Sequence, residues 1–313
     1  MADIKEIELS QFENIRIGQA ENSEAGTGVT VVVAPKGAPC GLDIRGGGPA
    51  SRESGLMDPL AAAEIIHAVV LAGGSAFGLD AAGGVMQYLS ENKIGFNVGD
   101  IIVPLVCQSD IFDLGYKACD IYPDKEMGYK ACENAFKTQN GNFKPGSFGA
   151  GCGATVGKML GMERCSKSGI ASYAVSLGKL KVAAIVAVNA LGDVYDYKTN
   201  SRIAGVMSND GKTLNDRSCE ELLYESHLKQ AEGMAANTTI GIVLTNAGFN
   251  KTKLCKLAGM TQDAYARCIR PIHTSMDGDS IYAMSLGDVE ASLDIVGTLA
   301  NHVMCEAIKR SVS

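Results

Sequence analysis

The chain has 313 residues, 46% of them hydrophobic and 20% charged, with a formal net charge of -7. That length buries a full hydrophobic core without disulfide or metal staples. A sequence pI near 5.2 with no run of basic residues argues against a nucleic-acid footprint, and apolar runs broken by Gly, Asp or Lys argue against a membrane span.

The first residues, Met1-Ala2-Asp3-Ile4-Lys5-Glu6, have neither the basic nor the apolar region of a signal peptide, which points to a cytoplasmic protein. Residues 27–34 are β-branched and stop at Pro35, a strand signal. A Gly-rich loop between two arginines follows, Asp43-Ile44-Arg45-Gly46-Gly47-Gly48-Pro49-Ala50-Ser51-Arg52. Residues 65–71 read as a short strand, and Gly73-Gly74-Ser75-Ala76-Phe77-Gly78 turns into a helix over 79–89. Residues 101–106 are another apolar run. Gly115-Tyr116-Lys117-Ala118-Cys119 recurs as Gly128-Tyr129-Lys130-Ala131-Cys132; two copies are too few for a solenoid and read as two short helical pieces. Residues 149–158 form the densest glycine cluster, 182–188 a strand, and 196–237 a polar stretch of variable pattern. A strand over 239–244, helices over 251–259 and 262–269, and a turn over 275–280 into a strand at 281–285 come next. In the last stretch Leu293, Val296, Leu299, Val303 and Ile308 have helical spacing. Intermixed strands and helices mean layered α/β or α+β packing.

Several chemical motifs fail on inspection. The 149–158 cluster has Cys152 where a P-loop needs its first Gly and Met159 after Lys158, and it fits no dinucleotide fingerprint. Its glycines read as sites of close backbone approach. Ser75 is followed by Phe77 where a nucleophile elbow needs Gly. Asp277-Gly278-Asp279 lacks the further ligands of a calcium loop and reads as a turn. Ten cysteines without CxxC spacing and four scattered histidines give no metal pattern, so neither metal nor cofactor is expected, and most cysteines read as reduced core residues. Asn237-Thr238-Thr239 opens the strand at 239–244, and polar residues there are ordinary turn chemistry. The chemical reading is that the Asn237–Thr238 bond is cut. Thr238 then carries a hydroxyl nucleophile and an α-amine able to act as its base.

Taken in order, Asp43-Ile44-Arg45-Gly46-Gly47, the segment 71–80, the cluster 149–158, Val188-Asn189-Ala190-Leu191-Gly192-Asp193-Val194, Asn237-Thr238-Thr239 and Asp277-Gly278-Asp279 resemble the DmpA-type self-processing peptidase family. That family includes L-aminopeptidase/D-esterases, β-peptidyl aminopeptidases and the nylon-oligomer endo-hydrolase. The resemblance implies an αββα sandwich of the DmpA/ornithine acetyltransferase type, N-terminal-nucleophile-like, in one domain over 1–313. It implies a precursor cut into 1–237 and 238–313, which stay together. It makes Thr238 the nucleophile of self-cleavage and catalysis and Lys158 its neighbour. Asn189 supports the oxyanion, and Asp277 with Asp279 orients the amine or recognises a substrate amino group. Ile111-Phe112-Asp113 occupies the region of the family's active-site tyrosine, with Tyr116 close by as the candidate. The Asp pair, which is Ser and Glu in the peptidase branch, and the Asn-Thr junction place the chain nearer the nylon-hydrolase branch. The implied function is hydrolysis of small peptides, amino-acid amides or oligoamides through a Thr acyl-enzyme, in a homo-oligomer of four or more subunits. The alternatives are an uncleaved, non-catalytic binding or scaffold relative and an amine acyltransferase of the ornithine acetyltransferase type.

Overall fold

The chain is seen in a computed structural model that describes residues 3–137, 143–228 and 237–313. Met1, Ala2 and residues 229–236, just before the expected cut, lie outside the described residues. The main elements are β1 (Ile4–Glu6), β2 (Arg16–Asn22), β3 (Thr27–Ala38), β4 (Cys40–Ile44), β5 (Ala50–Arg52), β6 (Ile66–Ala72), α1 (Ala81–Glu91), β7 (Val106–Asp110), α2 (Lys125–Phe136), β8 (Ile170–Leu177), β9 (Leu180–Asn189), α3 (Cys219–Leu228), β10 (Thr238–Ala247), α4 (Lys251–Cys268), β11 (Ser280–Val289) and α5 (Leu293–Arg310).

Two sheets face each other. One has the order β1-β8-β9-β10-β11-β4, the other β2-β3-β6-β7-β5. Each contains one parallel pair, β10 with β11 and β6 with β7, among antiparallel neighbours. Side chains alternate along a strand, and β10 shows the consequence. Ile240, Ile242 and Leu244 enter the core between the sheets, while Val243 and Ala247 enter the core beneath α4 and α5. A third core lies between the five-stranded sheet and helices α1 and α2. Three cores separate four layers, helix, sheet, sheet, helix, as the αββα expectation requires. Both faces of the central strands are covered, so 182–188 and 239–244 read as unbroken apolar runs.

The structure departs from the sequence reading in four places. The first Gly-Tyr-Lys-Ala-Cys copy is a turn, with Gly115 at φ 88° and its N–H on Ala118 O, while the second lies inside α2. Pro104 splits the 101–106 run between a small hairpin strand, Ile101–Val103, and β7. The helices expected at 251–259 and 262–269 are one. Asn250 caps α4 by accepting from Lys253 N, and a continuous stripe of Leu254, Leu257, Ala258, Thr261, Ala264, Tyr265 and Cys268 is buried along it. The polar stretch from 196 carries the strand Arg202–Ala204 and α3. Asp193 holds this region by accepting from Val206 N at 2.8 Å and Cys219 N at 2.6 Å. All ten cysteines are free, and seven are buried. Among the described residues no helix is long and apolar enough to cross a membrane.

Candidate active site

The site forms where β9 ends and β10 begins. These strands pair antiparallel with Asn189 opposite Thr238. Thr238 shares the strand parity of Ile240, so its side chain faces the space between the sheets. Asn237 is fully buried and Thr238 is 5% exposed, so the uncut chain covers its own hydroxyl. Thr238 Oγ1 donates to Asn237 O at 2.5 Å. The Gly278 N–H reaches the same carbonyl at 3.0 Å and Thr238 Oγ1 at 3.2 Å. A backbone donor therefore already sits on the carbonyl oxygen that would bear the charge of a tetrahedral intermediate.

Lys158 enters from the glycine cluster. Gly157 turns at φ 78°, and Gly157 N and Lys158 N dock on Gly192 O and Leu191 O, just past the end of β9. This aims the ammonium at Asn189, where Nζ donates to Oδ1 at 2.7 Å and to the backbone oxygen at 3.2 Å. Burial pushes the Lys158 amine down to about 7, against the opposing pull of Cys165, Asp113 and Asp277. Asn189 Oδ1 also accepts from Thr155 N, and Asn189 Nδ2 donates to Phe112 O at 2.8 Å. Asn189 thus orients Lys158, and one of its two amide N–H groups goes to Phe112 O. The donor on the Asn237 carbonyl is Gly278 N–H, which the sequence reading did not single out.

The two aspartates are held differently. Asp279 Oδ1 accepts from Thr239 N at 2.7 Å, and Oδ2 accepts from His273 N at 3.1 Å and faces His273 Nδ1 at 3.0 Å. Asp277 Oδ2 accepts from Thr274 N at 2.7 Å, while its Oδ1 is buried with no hydrogen-bond partner among the described residues. Burial, and then the Asp279 carboxylate, push the Asp277 carboxyl up to about 6. The Gly-rich loop between the arginines wraps this turn. Arg45 N donates to Asp279 O and Gly48 N to Asp277 O, and a Cβ on Gly46 would fall 2.2 Å from Asp277 O.

Thr238, Lys158, Asn189, Asp277 and Asp279 therefore converge from four separated stretches of chain. Tyr116 stands apart from their contacts. Its ring packs near Lys117 and Lys167 Nζ, at 5.8 and 5.6 Å, and beside Gly26. Asp113 is a residue the sequence reading passed over. It accepts from Gly74 N at 2.7 Å and Thr27 Oγ1 at 2.8 Å, tying the Gly73–Gly74 turn to the loop that presents Phe112 O. Among the described residues no group of three or more His, Cys, Asp or Glu is arranged to hold a metal ion.

Against this geometry, comparison with known proteins is uniform. The sequence pattern of peptidase family S58 matches residues 1–312. A Mycobacterium leprae protein named as an uncharacterized aminopeptidase is 36% identical over 296 residues, covering 93% of this chain and 80% of that protein. The 6-aminohexanoate-oligomer endohydrolase of a Kocuria species is 31% identical over 314 residues, covering 95% of this chain and 83% of its own. Among solved structures, the L-aminopeptidase D-Ala-esterase/amidase from Ochrobactrum anthropi, described as a variant of the Ntn hydrolase fold, superposes with a TM-score of 0.69. It has 15% identity, with 97% of this chain and 85% of that one covered.

Proposed function

The chain belongs to peptidase family S58 and hydrolyses peptide or amide bonds, and from that premise we propose that it processes itself between Asn237 and Thr238 and uses Thr238 as its nucleophile. The observation that carries this is the 2.5 Å contact of Thr238 Oγ1 with the Asn237 carbonyl oxygen, which Gly278 N–H holds from the other side at 3.0 Å.

In the uncut chain Thr238 Oγ attacks the Asn237 carbonyl carbon. Its proton passes to the neutral amine of Lys158, whose lowered pKa of about 7 leaves a large neutral fraction at neutral pH. Gly278 N–H takes the developing negative charge on the oxygen; one such donor is worth roughly 3 kcal/mol in comparable sites. The C–N bond breaks, the Thr238 nitrogen takes the proton back, and an ester joins Asn237 to Thr238. Water hydrolyses that ester, leaving a carboxylate on Asn237 and a free amine and hydroxyl on Thr238. The same hydroxyl then takes the acyl group of a substrate amide, releases the amine, and is freed by water.

Asp277 supplies an open carboxylate oxygen at this centre, suited to the new α-ammonium or to a substrate amino group. The substrates are small peptides, amino-acid amides or oligoamides. The relatives are named for aminopeptidase and 6-aminohexanoate-oligomer endohydrolase activities, which share cleavage of an amide bond. Fragments 1–237 and 238–313 form one domain, in a homo-oligomer of four or more subunits.

Intact mass under denaturing conditions tests the proposal. The expected result is two fragments, ending at Asn237 and starting at Thr238, with Thr238→Ala remaining a single chain of 32.7 kDa. Cleavage of the same bond in Thr238→Ala removes Thr238 from the role. Product analysis with an added amine acceptor separates hydrolysis from acyl transfer.

A further inference from the structure

Beside the nucleophile strand lies a histidine that none of the reactions above uses. His273 precedes the Asp277–Asp279 turn, and its side chain is 19% exposed. Both of its polar hydrogens on that side go to one atom: backbone N and ring Nδ1 lie 3.1 and 3.0 Å from Asp279 Oδ2. Asp279 accepts backbone N–H groups at both carboxylate oxygens, so it acts as an acceptor and the facing ring nitrogen as a donor. The other ring nitrogen, Nε2, is buried with no hydrogen-bond partner among the described residues. The imidazole lies 6.1 Å from the Tyr265 ring at 30°, and Tyr265 OH in turn donates to Ser280 O at 3.4 Å. The ring is thus fixed between α4 and the carboxylate.

We propose that His273 is a positioning residue for the Thr238 hydroxyl, acting through Asp279. The chain of contacts is short. His273 fixes Asp279 Oδ2, which aims Oδ1 at Thr239 N at 2.7 Å, and this pins the residue that follows the nucleophile. Thr239 N–H is one bond sequence from the Thr238 carbonyl, so its direction sets how Thr238 presents Oγ1 to the Asn237 carbonyl. The backbone is consistent with a dedicated role, because His273 sits at φ 59°, a conformation uncommon outside glycine that histidine, like Asn and Asp, adopts more readily than other L residues. Holding it there requires surrounding structure that over-determines it, a pattern that clusters at functional sites. The inference rests on Thr238 being the nucleophile.

The test uses the full chain with His273→Gly, His273→Asn and His273→Asp. Glycine relieves the positive φ and removes the ring donor. Asparagine tolerates the same φ and places Nδ2 where His273 has Nδ1, both one bond from Cγ. Aspartate has the shape of asparagine without a donor. Each variant is synthesised as the uncut chain by cell-free translation and followed by mass for the rate of self-cleavage, then assayed for steady-state hydrolysis of an amino-acid 4-nitroanilide. Far-UV circular dichroism and a cooperative melt establish that each is folded. Glycine and aspartate are expected to slow both cleavage and kcat about 10- to 100-fold, the scale of a small misplacement of a reacting group. KM stays within about twofold because ground-state binding is untouched. Asparagine restores both rates to within about threefold of the unaltered chain. Cleavage at the unaltered rate in His273→Gly overturns the proposal, as does His273→Asn matching a folded His273→Asp. If Thr238→Ala stays uncut in the same series, only the role of His273 has failed; if it is cut, the nucleophile assignment itself has.

Discussion

At Gly278 the chain needs a free N–H and no side chain at once. The N–H touches both the Asn237 carbonyl and Thr238 Oγ1, and a Cβ would sit 2.8 Å from that hydroxyl. Gly278→Ala should therefore leave the fold intact and slow self-cleavage about 100-fold by displacing the hydroxyl and the oxyanion donor together. Mass-resolved time courses of the freshly translated uncut chain measure this, and cleavage at the unaltered rate would remove Gly278 from the site. Lys158 gives a pH signature. With its amine at about 7, it is charged below that pH and neutral above it. In the proposed mechanism the neutral form takes the Thr238 proton, so cleavage should accelerate as pH rises through about 7 and then level off. Asp277, at about 6, is already ionised over most of that rise. Lys158→Arg, whose guanidinium does not deprotonate, should stay uncut at every pH. A rate that falls across pH 7 would instead give Lys158 a charged role. Lys158, Asn189 and the Asp277/Asp279 pair were legible in the sequence through the family resemblance of the segments that carry them, since each alone reads as an ordinary surface, cap or turn residue. Gly278 was visible only as part of a turn, because a backbone donor leaves no letter of its own, and Asp113 was hidden because its partners, Thr27 and Gly74, are 86 and 39 residues away.

Among the elements, the two Gly-Tyr-Lys-Ala-Cys copies show how one string serves two ends. Helices α1 and α2 cross with reciprocal glycines. A Cβ on Gly84 would fall 1.8 Å from Lys125 O, and one on Gly128 would fall 1.9 Å from Ala81 O. Gly115 has open space around it and needs only its positive φ. Gly128→Ala should force the helices apart and cost about 1–3 kcal/mol or more, because backbone cannot yield as a side chain can. Gly115→Ala should cost about 1–2 kcal/mol of backbone strain. Urea denaturation of both variants in the Thr238→Ala background compares them, and equal losses would contradict the crossing. Periodicity located α1, β3, β6, β9, β10 and α5 because each has a long buried stripe or run. It missed β2 and β8, which mix polar with apolar residues, and it divided α4 at Gly259–Thr261. There the helix continues because the buried stripe does not break, and Thr261 Oγ1 satisfies itself on Leu257 O at 2.8 Å within it.

For the whole molecule, the position of the proposed cut within the sheet decides what cleavage could do. Residues 1–237 supply β1, β8, β9 and β4 of the six-stranded sheet, and 238–313 supply β10 and β11, which lie between β9 and β4. The later fragment thus fills the middle of a sheet whose outer strands belong to the earlier one. Ile240, Ile242, Leu244, Tyr282 and Met284 also enter the core between the sheets, while α4 and α5 cover the opposite face. Each large apolar side chain of this kind contributes about 1.5–3 kcal/mol when buried, so separation would expose far more than one cut peptide bond releases. Self-cleavage should therefore change access and leave the architecture unchanged. Thr238 is buried in the uncut chain, and breaking the bond as proposed would free it from Asn237. The fragments are expected to co-elute on size exclusion at micromolar concentration and to separate only in denaturant, and 238–313 expressed alone should give no cooperative melt. Dissociation in native buffer would mean that the two cores do not hold β10 and β11 once the chain is cut, and the new N-terminus at Thr238 would then lose both Lys158 and Asn189, which remain on the other fragment.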